Sequence, residues 1–149
     1  PPSCEALLAV RQPLADALVP TAAAMDGAAD LVQMCRDHQV PMALVTSSTQ
    51  DAVRRKAAPH RWLELIEVRV YGDDPALAAG KPAPDPFLLA AKRLGRNPGD
   101  CWAFEDSAAG IEAAVAAGCQ VYALLPSDAD AQATPAVVTR LNSLRDVRW

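Results

Sequence analysis

The chain has 149 residues, 51% of them hydrophobic, and a formal net charge of −4. That length makes about one domain with a real core, and the acidic balance argues against a nucleic-acid surface. An anionic small molecule stays open as a partner, because one lysine in a cleft can dominate its local field.

The four cysteines, Cys4, Cys35, Cys101 and Cys119, show no CxxC or metal-ligand spacing. Their apolar surroundings read as buried free thiols in a reducing, cytoplasmic setting. The sequence carries neither a signal-peptide pattern nor an apolar run of membrane-spanning length, so no membrane association is expected.

In chain order, Cys4 to Leu18 is Ala/Leu-rich and predicted helical, with a bend at Pro13, and Val19 to Met25 connects it onward. Gly27 to His38 is a second helix, with Ala28, Leu31, Val32 and Cys35 at the i, i+3, i+4, i+7 positions of one face. Pro41 to Val45 is an apolar run of strand length that ends in Thr46-Ser47-Ser48-Thr49. A hydroxyl cluster at the carboxyl end of a strand, opening a helix, can bind phosphate through O–H and N–H groups. Plain N-capping accounts for one such hydroxyl better than for a run of them. Asp51 to Ala58 continues as a helix, His60 to Leu65 is a turn anchored by Trp62, and Val68 to Tyr71 is the next strand. Gly72-Asp73-Asp74-Pro75 then reads as a turn.

The prolines of Gly80-Lys81-Pro82-Ala83-Pro84-Asp85-Pro86 stiffen a loop and aim Lys81 at low entropic cost. A solvated surface lysine is the alternative. Asp85 is predicted as an N-cap with Pro86 at the first helical position. Phe87, Leu88, Ala91 and Leu94 make that helix's buried face, and Gly95 ends it.

Cys101 to Phe104 is the third strand, with Glu105 and Asp106 where it stops. Adjacent carboxylates are expensive to desolvate unless a cation offsets them, and Mg2+ prefers such oxygens. Complementing the dipole of the following helix is the other reading. Ser107 to Gly118 is that helix, with Ile111, Ala114 and Val115 inward. Gln120 to Leu125 is a fourth strand, Pro126 to Thr134 a loop, and Pro135 to Leu144 a last helix built on Val137, Val138, Leu141 and Leu144. Alternating helices and short apolar strands predict an α/β fold, a parallel sheet covered on both faces. Neither His38 nor His60 has a Ser or Cys nucleophile context, so no hydrolytic triad is expected.

Four features stand in order: a strand ending Val45-Thr46-Ser47-Ser48, the Gly80 to Phe87 loop around Lys81, a strand ending Phe104-Glu105-Asp106-Ser107, and the Ala-Gly-Ile helix through Gly118. Together they resemble the haloacid dehalogenase superfamily, in its phosphoglycolate phosphatase and β-phosphoglucomutase branch, over Pro20 to Leu125. The resemblance implies a Rossmann-like core over residues 20–149 and the end of a helical cap over residues 1–19. It implies that Thr46 binds the transferring phosphoryl group, aided by the Ser47 N–H with Ser48 beside it. Lys81 would neutralise phosphate and nucleophile, and Glu105 and Asp106 would bind Mg2+. The implied activity is a Mg2+-dependent phosphatase of small phosphorylated metabolites, working through an aspartyl-phosphate.

The family's first motif, Asp-x-Asp-Gly-Thr, carries the nucleophile on a strand, and it is not in these 149 residues. The nearest string, Ala24-Met25-Asp26-Gly27-Ala28, has alanine at the nucleophile's place and reads as a helix start. In the family that strand lies between those ending here at Val45 and Phe104, so two inner edges would lack partners. The expectation is part of a longer enzyme, completed by an N-terminal segment or by a second chain. A non-catalytic phosphate-binding module or inert fragment, and a phosphomutase, which needs a cap, are the alternatives.

Overall fold

The computed structural model describes residues 23–125, 135 and 137–148. The predicted cap remnant (1–19) and the Pro126 to Thr134 loop lie outside the described residues. Short Val- and Ala-rich runs form strands that pair only in parallel among the described residues. β1 (Ala43–Val45) pairs with β2 (Val68–Val70). β3 (Trp102–Glu105) pairs with β4 (Gln120–Ala123), and β4 with β5 (Val138–Arg140). Around them run α1 (Ala28–Asp37), α2 (Gln50–Ala57), α3 (Asp85–Leu94) and α4 (Ala108–Ala116), with 3-10 turns at Arg61–Leu65, Pro98–Asp100 and Leu144–Asp146. Parallel neighbours joined by helical crossovers make the α/β architecture that the alternating pattern predicts.

The core sits where α4 packs on β3 and β4 and meets α3, which itself lies on β1 and β2. Phe87, Ile111, Ala113 and Ala114 meet Ala103, Val121 and Ala123 there. Small alanines let the helices approach the sheet closely, and removing this apolar surface from water stabilises the fold by about 25 cal/mol per Å2. Two details of α3 differ from the sequence reading. Pro84 precedes the helix and Asp85 is already its first residue. Leu88, expected inward, is 43% exposed, while Ala90 is buried in its place.

The predicted helix over Pro135 to Leu144 does not form. β5 and the Leu144–Asp146 turn occupy that stretch, and Val138 lies opposite Val121 of β4. The Val137, Val138, Leu141, Leu144 spacing is helical, but β4 offers an open edge, and the β-branched Val138 and Thr139 suit a pleated strand. Val137, expected inward, is 70% exposed.

The strands form two patches, β2-β1 and β3-β4-β5, with no ladder between β1 and β3. Between those strands lies a cavity of about 540 Å3, also walled by Leu31, Val32 and Cys35 of α1 and by Phe87, Ala91 and Leu94 of α3. α1 accordingly buries none of its apolar stripe fully. Backbone direction identifies the free edges. The Thr46 N–H bonds the Val70 carbonyl, and the Cys101 and Glu105 carbonyls bond the N–H groups of Gln120 and Leu124. In a parallel ladder the residues between these turn their groups the other way, so Val45 and Phe104 face the gap. The gap has the walls of one more strand position: a neighbour about 4.8 Å away along each edge and apolar helix faces around it.

Candidate active site

The carboxyl ends of β1 and β3 are brought together by one side chain. Lys81 donates from Nζ to the Val45 carbonyl at 3.2 Å and to Glu105 Oε1. The Lys81 and Glu105 side chains are each 8% exposed. A buried ion pair holds only when its remaining polar atoms are satisfied. Here the Ser107 hydroxyl donates to Glu105 Oε2 at 3.2 Å, and the Phe87 ring lies 5.0 Å from Lys81 Nζ, within cation–π range. An ammonium has three N–H donors. Two fix its direction, and the third has no partner among the described residues.

Gly110 makes the seat for Glu105. A Cβ at Gly110 would stand 1.9 Å from Glu105 Oε2, so the first turn of α4 closes over the carboxylate only because that position has no side chain. Ser107 caps the same turn by accepting the Gly110 N–H at 3.1 Å.

The acidic pair is split by the strand it ends. Glu105 is buried and spends both oxygens on protein donors. Asp106 is exposed and has no hydrogen-bond partner among the described residues. Successive residues at a strand end point to opposite sides, so adjacency in sequence does not give a shared direction.

The hydroxyl loop follows β1. Thr46 Oγ1 accepts the Ser48 N–H at 3.1 Å, which leaves its own proton to donate. The Thr49 hydroxyl caps α2 by accepting the Ala52 N–H at 3.2 Å. Ser48 is turned aside, its hydroxyl accepting from Lys56 Nζ at 3.2 Å. The groups left for an anion are the Thr46 hydroxyl and the Ser47 N–H, which has no partner among the described residues. The loop is held from β2: the Gly72 N–H bonds the Ser48 carbonyl at 2.8 Å, and Asp73 Oδ1 accepts the Gln50 N–H at 2.9 Å. A Cβ at Gly72 would stand 2.1 Å from the Ser47 carbonyl oxygen. The sequence reading gave Gly72 and Asp73 only a turn and gave Gly110 and Ser107 only a place in a helix. A glycine five residues after Glu105 in an Ala-rich helix was the one available signal for that close approach.

Thr46 and Asp106 therefore directly follow the carboxyl ends of β1 and β3, and Lys81 bonds across those two ends. Among the described residues no cluster of three or more His, Cys, Asp or Glu gathers to hold a metal, and no helix is long and apolar enough to cross a membrane. The family model of haloacid dehalogenase-like hydrolases matches residues 5–118. The chain belongs to the haloacid dehalogenase-like hydrolases.

Within that family it is 40% identical over 135 residues to a probable pseudouridine-5'-phosphatase of Drosophila melanogaster, a match covering 88% of this chain and 58% of the relative. The structure of CbbY from Rhodobacter sphaeroides in complex with phosphate superposes with a TM-score of 0.72 at 26% identity, covering 86% of this chain and 58% of that one. A putative β-phosphoglucomutase from Thermotoga maritima superposes with a TM-score of 0.65 at 30% identity, covering 72% of this chain and 49% of that one. The chain spans about half the length of the curated relatives it matches.

Proposed function

We propose that these residues are the phosphate-binding half of a Mg2+-dependent phosphatase of small phosphorylated metabolites, and that a strand from a segment of the protein outside these 149 residues brings the nucleophilic carboxylate. The observation that carries the reading is the pair of bonds made by Lys81. They fix one cation between the end of β1, beside Thr46, and the end of β3, beside Asp106.

In this reading the Thr46 hydroxyl and Ser47 N–H grip the phosphoryl oxygens, and the third N–H of Lys81 neutralises charge as it shifts during transfer. A carboxylate at the carboxyl end of the added strand attacks phosphorus, and the bond from phosphorus to the leaving oxygen breaks. Water then hydrolyses the aspartyl-phosphate. Asp106, exposed at the sheet edge, fits an oxygen ligand for Mg2+, which binds through few carboxylates together with phosphate and water. Such an ion supplies charge neutralisation for the transferring group. Glu105, with both oxygens engaged, does not fit as a ligand in this arrangement.

The cavity between β1 and β3 supports the strand. Its two strand edges have no strand partner among the described residues, its walls are apolar, and Lys81 bonds Val45 and Glu105, both of which line it. The phosphate bound by the Rhodobacter relative and the phosphatase named in Drosophila support the substrate class. Taken by themselves, the 149 residues hold a phosphate site without a nucleophile, which favours a binding module for this stretch alone.

The test is Mg2+-dependent turnover of p-nitrophenyl phosphate by the 149 residues, with and without the segment carrying the strand. Turnover is expected only with the segment present, and its loss on chelation is expected too. Turnover by the 149 residues as monomers would refute the external nucleophile. Turnover by dimers of them would place the strand in a second copy. Inertness with the segment present would leave the binding module.

A further inference from the structure

The thiols of Cys101 and Cys119 take no part in the phosphate site. We propose that they are a disulfide-forming pair, closed reversibly across the starts of β3 and β4 by exchange with a small-molecule disulfide. The pair lies at the amino ends of these strands, away from Lys81, and is independent of the phosphatase reading.

Register brings the two together. β3 and β4 pair in parallel from Trp102 opposite Gln120, and the Gln120 N–H bonds the Cys101 carbonyl at 2.9 Å. One step back along that ladder, Cys101 stands opposite Cys119. Parallel neighbours are about 4.8 Å apart, inside the Cα range of about 4.4–6.8 Å that a disulfide spans. Alternation puts both side chains on one face. Trp102 and Gln120 are exposed while Ala103 and Val121 are buried, and Cys101 and Cys119 share the parity of the buried pair. Both line the cavity between β1 and β3. Cys101 also adds to the upward shift of the Cys119 thiol, as a near neighbour does.

Each backbone is pinned where its strand starts. The Cys101 N–H bonds the Pro98 carbonyl at 2.9 Å, and the Cys119 N–H bonds the Ala114 carbonyl at 3.1 Å at the end of α4. Gly118, at φ 84°, turns that helix towards β4. At rest the Cys101 thiol donates weakly to the Asn97 carbonyl at 3.4 Å, and a rotation of the side chain exchanges that bond for the second sulfur. In the exchange, the Cys101 thiolate attacks one sulfur of the small disulfide, forms a mixed disulfide and releases one small thiol. Cys119, once its proton has left, attacks the Cys101 sulfur and expels the second. One small disulfide is reduced to two thiols while the two cysteines lose two hydrogens. Cys101 attacks first, because burial raises Cys119 to about 11 and keeps it protonated.

The experiment incubates the protein, with the strand-bearing segment present, in oxidised glutathione and then blocks free thiols with iodoacetamide. Digestion after Lys, Arg and Glu without reduction is expected to yield residues 97–105 joined to residues 113–140, lighter by two hydrogens than their sum. Cys35, which lines the same cavity from α1, is expected to be recovered alkylated. Dithiothreitol is expected to release the link. The closed form is expected to melt about 5 °C higher, because a bridge over eighteen positions restricts the unfolded chain. Cys119→Ser is expected to stop at a glutathione adduct on Cys101, and Cys101→Ser to take up an adduct about 10-fold more slowly.

No link between Cys101 and Cys119 in the wild type, whether or not glutathione adducts form, overturns the pair. A link that forms only in urea, or that lowers the melting temperature, overturns it too, because it then needs a geometry that the folded sheet lacks. The linkage is read on the wild type, so it decides the matter even where neither serine variant folds. Failure of the phosphatase reading looks different: phosphate turnover would be absent, while the disulfide result would hold or fall by itself.

Discussion

Asp106 and Lys81 can be separated by what their loss costs. Asp106 is exposed and bonds nothing among the described residues, so Asp106→Ala is expected to abolish Mg2+-dependent turnover while shifting stability by no more than about 0.5 kcal/mol. Activity assays beside thermal melts decide this, and near-normal turnover would sink the metal role. Lys81 is buried against Glu105, so Lys81→Met leaves a carboxylate in a closed seat without its cation. Breaking one side of a buried pair costs about 3–5 kcal/mol, so this variant is expected to lose both phosphate binding and much of its resistance to urea.

At the level of elements, the loops after β1 and β2 act as one unit. Gly72 lets the second loop lie against the first, and a Cβ there meets the Ser47 carbonyl oxygen at 2.1 Å. Because the obstacle is backbone, it cannot rotate away, and Gly72→Ala is expected to destabilise by about 1–3 kcal/mol. The same variant should weaken inorganic phosphate binding measured by calorimetry; unchanged affinity would show that the Thr46 loop does not depend on this clamp. The turn after Gly72 is tied to α3 by a two-pronged pair. Arg93 donates to Asp74 Oδ2 at 2.5 Å and Oδ1 at 3.1 Å, and also to the Arg69 carbonyl at 2.8 Å.

The hydrogen bonds from Arg93 hold the Asp74 carboxyl below its ordinary value. Its folded pKa lies under the unfolded one, so it adds stability above about pH 3.9, lost as pH falls through the folded value. Asp74→Asn is expected to flatten the fall in melting temperature between pH 5 and pH 3. An equally steep fall in the variant would assign the acid sensitivity elsewhere.

On the scale of the whole molecule the open position between β1 and β3 dominates. Parallel sheets are stable when strands are paired on both edges and covered on both faces, and here no strand among the described residues occupies one position of that lattice. Three thiols, those of Cys35, Cys101 and Cys119, line it. Burial pushes all three up, Cys119 to about 11 with the neighbouring Cys101 adding to the shift. At pH 8 roughly one Cys119 thiol in a thousand is then ionised. Iodoacetamide labelling is expected to be slowest at Cys119, and to slow further at all three sites once the strand-bearing segment is present, with a matching rise in melting temperature. Labelling that ignores the segment would mean that it does not fill the gap.

Local chemistry alone determined much of this protein. The apolar runs, the glycines and the capping hydroxyls are short-range signals, so β1 to β4 and all four described helices stand within a few residues of where the sequence puts them. The strand-end places of Thr46 and Asp106 were legible from the apolar runs before them, and the stiff loop around Lys81 from its prolines, while the phosphate-site roles proposed for these residues come from the family resemblance. Only the tertiary structure decided the rest. β5 depends on an edge that β4 leaves open, which no property of Val138 reveals. The separate directions of Glu105 and Asp106 follow from strand alternation and from the closeness of Gly110, and the Gly72 clamp on Ser47 joins residues 25 positions apart. Periodicity records which face of an element is apolar; it does not record what that face meets, and the partners of Glu105 were set by that meeting.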